Sequence, residues 1–214
     1  IVVLHRGRIV YERYFGALAA ERPHIAFSVT KSVIGTLAAM LVAEGKLEAS
    51  APVSRYLPEL AASGFGDATV DQVLDMTTAL DFSENYVGGS DSFLSFARAA
   101  GVFPRPAAYA GPSSILQFLP TLGRKGNHGE AFTYRSPNTE VLGWLIARVT
   151  GKRPEVVLQE RIWSRLGAEA DAFIALDPSG AAVASGGFNC RWRDLARFGE
   201  MSRLQGGYHG PQIV

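Results

Sequence analysis

The chain is poor in cysteine and in paired histidines. Cys190 is the single cysteine among 214 residues, so no disulfide can form within the chain, and an oxidising compartment is neither required nor excluded. The four histidines show no ligand-like spacing, which predicts that the protein holds no metal ion. These histidines are His5, His24, His128 and His209.

A strong charge of one sign and a long apolar run are also missing. The formal net charge is +1 and no basic run is longer than a pair, which disfavours a nucleic-acid partner. The apolar stretch at 33–43 is too short and too interrupted to span a bilayer. We therefore expect neither nucleic-acid binding nor a membrane span.

The Gly-x-Ser-x-Gly pattern of the α/β-hydrolases does not occur. Ser185 is followed by Gly186 and Gly187 but preceded by Val183 and Ala184. A nucleophile on the sharp strand-to-helix turn of that fold is therefore disfavoured.

The chain begins at Ile1 within a strand-like segment, and we interpret it as a fragment or as the ordered part of a longer chain. A missing signal peptide then says nothing about export. The compartment stays open between the bacterial cytoplasm and periplasm, with a slight preference for the cytoplasm. The oligomeric state is not predicted.

The most informative stretch is 24–46, where Ser28 and Lys31 stand three residues apart at the head of an apolar helical pattern. Residues three apart on a helix share one face, so a hydroxyl and an amine would meet there. That is the geometry in which a lysine can receive the proton of a serine nucleophile. Serine is also a common helix cap, so the pair alone leaves a purely structural role open.

Turn and cap signals divide the chain into many short elements. Arg6-Gly7 predicts a hairpin between 1–5 and 8–15. Thr69 and Gln72 form the pattern of a capping box, and Asn138 is expected to cap the helix that follows it. Helices are predicted at 70–76, 93–100, 113–122, 139–149, 154–165 and 192–204.

These elements predict an α+β fold, in which an antiparallel sheet flanked by helices adjoins a mostly helical lobe. The expected organisation is an N-terminal part of the α/β lobe at 1–48, a mostly helical lobe at 49–205, and the start of a return to the α/β lobe at 206–214. Strands are predicted only at the beginning. Because a two-stranded sheet is marginal by itself, its C-terminal strands are expected to follow Val214, outside this chain.

Four stretches together resemble the serine β-lactamase-like hydrolases, which include class C β-lactamases, DD-peptidases, esterases and nylon-oligomer hydrolases. They occur in the family's order and cover nearly the whole chain. The stretches are VVLHRGRIVYERYF, FSVTKSVIG, FTYRSPNTEVLGWLIARVTGK with ERIWSRLGAEADA, and GGFNCRWRDLARFG. The resemblance implies a β-lactamase/transpeptidase-like fold and a serine hydrolase that needs no metal or organic cofactor.

The same resemblance assigns three catalytic residues. Ser28 would be the acylated nucleophile and Lys31 its partner base. Tyr134 matches the tyrosine of the family's Tyr-x-Asn motif, where it would shuttle a proton among Ser28, Lys31 and the leaving group. Without the family, the favoured interpretation of Tyr134 is a half-buried aromatic residue that caps the next helix.

Three further residues are candidates for substrate binding. Ser136 stands where the motif has asparagine, and a hydroxyl cannot offer the donor and acceptor pair of an amide. Asn138 is a weaker substitute, because a helix cap is the favoured interpretation. Tyr86 lies on a loop comparable to one that closes over the substrate in nylon-oligomer hydrolases, beside Gly88-Gly89, which would let such a lid move. The alternative is that Tyr86 is a solvent-exposed loop residue without a role in binding.

The family's third motif, Lys-Thr-Gly or His-x-Gly on a late strand, is expected outside this chain. Thr150-Gly151-Lys152 has the reverse order, and His209-Gly210 falls in a terminal turn. That strand would supply one oxyanion donor beside the N–H of Ser28.

The leading functional hypothesis is a serine hydrolase that forms an acyl-enzyme on a small ester, short amide or lactam. Within that class, Ser136 favours an ester or short amide over a β-lactam. The alternative is a non-hydrolytic binding or sensor domain of the penicillin-recognising type, which would be acylated or occupied without turnover.

Overall fold

A β-hairpin opens the chain. Strand β1 (Val2–His5) pairs antiparallel with strand β2 (Arg8–Glu12). Arg6 and Gly7 connect them with φ of 52° and 76°, the left-handed values that a two-residue type I′ turn requires. The hairpin predicted from these two residues is confirmed.

The computed structural model describes residues 1–86, 90–208, 210 and 212–214. Helices account for most of the regular structure in this part of the chain. The α-helices are α1 (Thr30–Ala43), α2 (Val53–Tyr56), α3 (Val70–Leu74), α4 (Asp91–Ala99), α5 (Ile115–Phe118), α6 (Ser136–Thr150), α7 (Pro154–Arg161) and α8 (Trp192–Arg203). Short 3₁₀ turns are Phe27–Val29, Pro58–Leu60, Leu119–Thr121 and Trp163–Arg165.

A second sheet has three very short antiparallel strands. They are β3 (His24–Ile25), β4 (Phe173–Ile174) and β5 (Phe188–Cys190), in the order β3-β5-β4. The prediction that strands occur only at the beginning is therefore wrong. Strands of two or three residues are too short to show the alternation by which a strand is recognised in a sequence.

Helices α1 and α6 pack against each other at the centre of the core. The buried stripe of α1 contains Val33, Ile34, Leu37 and Leu41, as its apolar spacing predicts. The first half of α6 is buried on all sides, from Ser136 through Gly143. This packing fixes the N-terminal end of α1 relative to that of α6.

Two helix starts differ from the prediction. Helix α6 begins at Ser136 rather than at 139, so Asn138 lies inside its first turn and does not cap it. Pro137 permits this earlier start, because proline fits the first turn of a helix. Helix α1 begins at Thr30, so Ser28 lies in the 3₁₀ turn just before it.

The capping box at α3 is confirmed and supports a prediction about stability. The Thr69 hydroxyl accepts from the Gln72 N–H, and the Gln72 side chain accepts from the Thr69 N–H. Thr69→Ala should lower the free energy of unfolding by about 1 kcal/mol, measured by urea denaturation. Thr36→Ala, which removes a hydroxyl inside α1, is the matched control and should have little effect. Equal effects of the two changes would contradict the capping role.

No helix among the described residues is long and apolar enough to cross a membrane. The lobe boundaries at 48 and 205 stay a prediction.

Candidate active site

Ser28 lies on an exposed turn that long-range hydrogen bonds hold in place. The preceding residue, Phe27, has φ of 45°, a conformation that non-glycine residues adopt rarely and often at functional sites. The Thr30 hydroxyl donates to the Phe27 carbonyl at 2.6 Å and accepts from the Phe188 N–H at 3.1 Å. Buried Thr30 therefore connects the turn to strand β5 and leaves the Ser28 side chain exposed.

Lys31 reaches back from the first turn of α1 to Ser28. Its Nζ lies 3.2 Å from Ser28 Oγ and donates to the Ser185 carbonyl at 2.7 Å. Ser185 belongs to the buried segment just before β5. The lysine amine is therefore held between the candidate nucleophile and a main-chain acceptor more than 150 residues away in the sequence.

The Tyr134 ring completes this cluster. Its centroid lies 5.0 Å from Lys31 Nζ, within the range of a cation–π contact. Arg135 helps to place the preceding segment, because its guanidinium donates to the carbonyls of Thr78 and Phe82 at 2.6 and 3.2 Å. Tyr134 is 37% exposed, so its ring is accessible to solvent beside Lys31.

Tyr134→Phe tests the role of the phenol hydroxyl. The change keeps the ring over Lys31 and removes only the hydroxyl, so we expect kcat to fall on the order of a hundredfold with little change in melting temperature. Steady-state ester hydrolysis measures this effect. Tyr11→Phe on the exposed face of β2 is the matched control. Wild-type kcat in Tyr134→Phe would contradict a proton-transfer role for the hydroxyl.

Glu84 joins the polar loop to the start of α6. One carboxylate oxygen accepts from the Ser136 N–H at 2.5 Å, and the other accepts from the Ser136 hydroxyl at 2.5 Å. A carboxylate at a helix N-terminus satisfies a free N–H and is favoured by the helix dipole. Ser136 is buried and its hydroxyl points to Glu84, so its predicted contact with substrate would require this hydrogen bond to be exchanged.

Tyr86 lies on the same loop and shares the Glu84 carboxylate. Its hydroxyl donates to Glu84 at 2.5 Å, and its ring meets Phe93 edge-on with centroids 4.9 Å apart. Partial burial of the phenol group and its hydrogen bond to the Glu84 carboxylate raise the pKa of Tyr86, which keeps the hydroxyl protonated as a donor. The ring is 62% exposed. The lid role of Tyr86 stays a prediction, and its Gly88-Gly89 hinge lies outside the described residues.

Asn138 is the predicted binding residue that the structure places in the core, away from the exposed Ser28 turn. Its side chain is fully buried, and its Oδ1 accepts from the Thr78 hydroxyl at 2.7 Å. This contact ties α6 to the segment after α3. Asn138 would need to leave the core in order to touch a substrate.

Two further residues of the site were not found by reasoning from the sequence. Nothing in the sequence distinguishes Glu84, because it is one polar residue among several in a polar loop. Glu140 stands alone as an acid within an apolar helical stretch, and that isolation is a signal that could have been used. His209, which is not expected to supply the third motif, lies outside the described residues.

Glu140 is 3% exposed and is held by main-chain donors. Its two carboxylate oxygens accept from the N–H groups of Ala184 and Ser185, each at 2.9 Å. Burial raises the pKa of Glu140 to about 7, against the opposing effect of these donors and of the Lys31 cation.

The arrangement of Ser28, Lys31 and Tyr134 suits nucleophilic chemistry at a carbonyl group. In its neutral form, the Lys31 amine is placed to accept the proton of the Ser28 hydroxyl. The adjacent phenol can donate or accept a proton. An exposed serine with a lysine amine and a tyrosine ring close by, at the start of a central helix, is the arrangement expected of a β-lactamase-like site.

The chain belongs to the beta-lactamase family, which it matches over residues 1–210. The predicted resemblance is therefore confirmed, and so is the α+β fold of β-lactamase type. Within the family, the chain is 39% identical over 213 residues to a 6-aminohexanoate-dimer hydrolase of Paenarthrobacter ureafaciens, covering 100% of this chain and 54% of that protein.

Solved structures show the same likeness. A Bacillus anthracis protein provisionally assigned as a 6-aminohexanoate-dimer hydrolase superposes with a TM-score of 0.93 and 32% identity, over 99% of this chain and 55% of that one. A D-stereospecific amidohydrolase from Streptomyces gives a TM-score of 0.66 at 21% identity, over 92% and 69%. The last likeness concerns the fold alone. The chain spans about half the length of the two 6-aminohexanoate-dimer hydrolase relatives.

Proposed function

We propose that the protein is a serine hydrolase that cleaves a small ester or a short linear amide through an acyl-enzyme on Ser28. The observation that carries the proposal is the 3.2 Å contact between Ser28 Oγ and Lys31 Nζ, made at an exposed turn beside Tyr134. A serine needs an adjacent base to become a nucleophile at neutral pH, and this amine is within reach.

The reaction proceeds in two halves. Ser28 Oγ attacks the substrate carbonyl and gives its proton to Lys31, and the Ser28 N–H is one donor to the oxyanion. Lys31 and Tyr134 pass a proton to the departing alcohol or amine, whose bond to the carbonyl carbon breaks. Water then attacks the carbonyl carbon of the acyl-enzyme and gives up a proton to Lys31 or Tyr134. The ester bond to Ser28 Oγ breaks, a carboxylic acid leaves, and the proton taken from water passes to Ser28 Oγ.

The choice of an ester or short amide over a β-lactam rests on two observations. Ser136 replaces the asparagine that would grip a lactam amide, and its hydroxyl is already engaged by Glu84. The similarity to a 6-aminohexanoate-dimer hydrolase also favours a linear amide. We therefore propose that a linear amide or ester is cleaved faster than a cephalosporin of comparable size.

A fluorophosphonate probe tests the nucleophile directly. We expect one label per protein, located on Ser28 by peptide mapping, and loss of ester hydrolysis in proportion to labelling. p-Nitrophenyl butyrate should give a burst followed by continued turnover. A folded protein that takes no label would refute the proposal. A burst without later turnover would favour the non-hydrolytic binding or sensor domain.

A further inference from the structure

Glu140 is a buried carboxyl group to which the proposed reaction assigns no role. A buried acid without partners is costly, and here both oxygens are committed to the consecutive N–H groups of Ala184 and Ser185. These partners are 44 and 45 residues away in the sequence. Glu140 therefore ties the start of α6 to the segment just before β5.

That segment is the one that holds the catalytic lysine. The carbonyl of Ser185 accepts from Lys31 Nζ at 2.7 Å, so one residue binds Glu140 through its N–H and Lys31 through its carbonyl. The segment then turns, with the Gly187 N–H donating to the Val183 carbonyl at 2.8 Å. At its far end, the Phe188 N–H donates to Thr30. Glu140 and Thr30 thus secure the two ends of the segment.

We propose that Glu140 is a positioning residue for catalysis. By holding the N–H groups of Ala184 and Ser185, it fixes the carbonyl that keeps the Lys31 amine beside Ser28 Oγ. The inference deepens the proposed function and rests on it. A shift of about 1 Å in a catalytic group can cost about a hundredfold in rate, so the carboxylate could act strongly without touching the substrate.

The charge on Glu140 matters for this role. When the carboxyl is protonated, one of its oxygens becomes an O–H donor. That oxygen is then a weaker acceptor for the main-chain N–H that faces it. Burial raises the pKa of Glu140 to about 7, so this change falls within the range in which the protein can be assayed. Lys31 faces the group from α1. Glu140 also borders a mostly apolar cavity of about 360 Å³, whose other charged lining residues are Lys152, Arg153 and Glu155.

The test compares rate constants for fluorophosphonate labelling of Ser28. Glu140→Gln keeps the shape of the side chain but replaces one accepting oxygen with an NH₂ group, which then faces a main-chain N–H. Two donors cannot pair, so we expect labelling to slow about tenfold to a hundredfold. Probe affinity should change little. The wild-type rate should show a titration near pH 7 that Glu140→Gln lacks. Glu155→Gln, in the same cavity, is the matched control and should label at the wild-type rate.

A double-mutant cycle shows whether Glu140 acts through the lysine. In a Lys31→Ala background, Glu140→Gln should slow labelling by less than about twofold, because the group that it positions is gone. Additive losses, or wild-type labelling by Glu140→Gln, would overturn the proposal. If Glu140→Gln does not fold, Glu140→Asp replaces it in the cycle and is judged by the same outcomes. Absence of label on wild-type Ser28 would instead refute the proposed function.

Discussion

Ser28→Ala is expected to lower kcat for ester hydrolysis by about four to six orders of magnitude, the loss typical of removing a serine nucleophile. The fold should survive, because Ser28 is exposed and the hydrogen bond described for its side chain is the one to the Lys31 amine. The turn itself is held by Thr30, which the substitution does not touch. Stopped-flow hydrolysis and labelling by fluorophosphonate measure the loss.

Ser32→Ala is the control for this substitution. Ser32 is exposed on α1, one residue beyond Lys31, so the change removes the same hydroxyl from the same element without touching the site. It should retain wild-type kcat. If Ser28→Ala kept more than about one hundredth of the wild-type rate with unchanged protein purity, another group would have to be the nucleophile.

Lys31→Arg is expected to lower kcat on the order of a thousandfold, the middle of the range for loss of a general base. Arginine keeps the positive charge and can still donate to the Ser185 carbonyl, but it cannot be deprotonated in a protein. The substitution therefore separates the proton-accepting role of the amine from its structural role. Pre-steady-state kinetics should locate the loss in acylation, with KM changed much less than kcat.

Lys46→Arg is the matched control, because Lys46 is an exposed lysine just beyond the end of the same helix. Its kcat should equal that of the wild type. A Lys31→Arg protein that acylates at the wild-type rate would show that Lys31 acts as a fixed cation and not as a base.

Local features of the fold were predictable to within a few residues. The hairpin at Arg6-Gly7, the capping box at Thr69 and the buried stripe of α1 all depend on residues adjacent in the sequence. The short strands β4 and β5 were missed because their pairing partners are distant and their patterns too brief. The start of α6 was misplaced for a related reason, since Glu84 satisfies the Ser136 N–H from 52 residues away.

For the site, the pairing of Ser28 with Lys31 follows from the sequence alone, because spacing along the chain settles which side chains can meet across one turn. Tyr134 could be named only through family resemblance, and its position over Lys31 required the packing of α6 against α1. The contacts of Glu84 and Glu140 appear only in the folded chain, where both carboxylates accept from backbone N–H groups 44–52 residues away. A buried carboxylate is placed by the shape of the whole core, and a periodic pattern along the chain does not encode that shape.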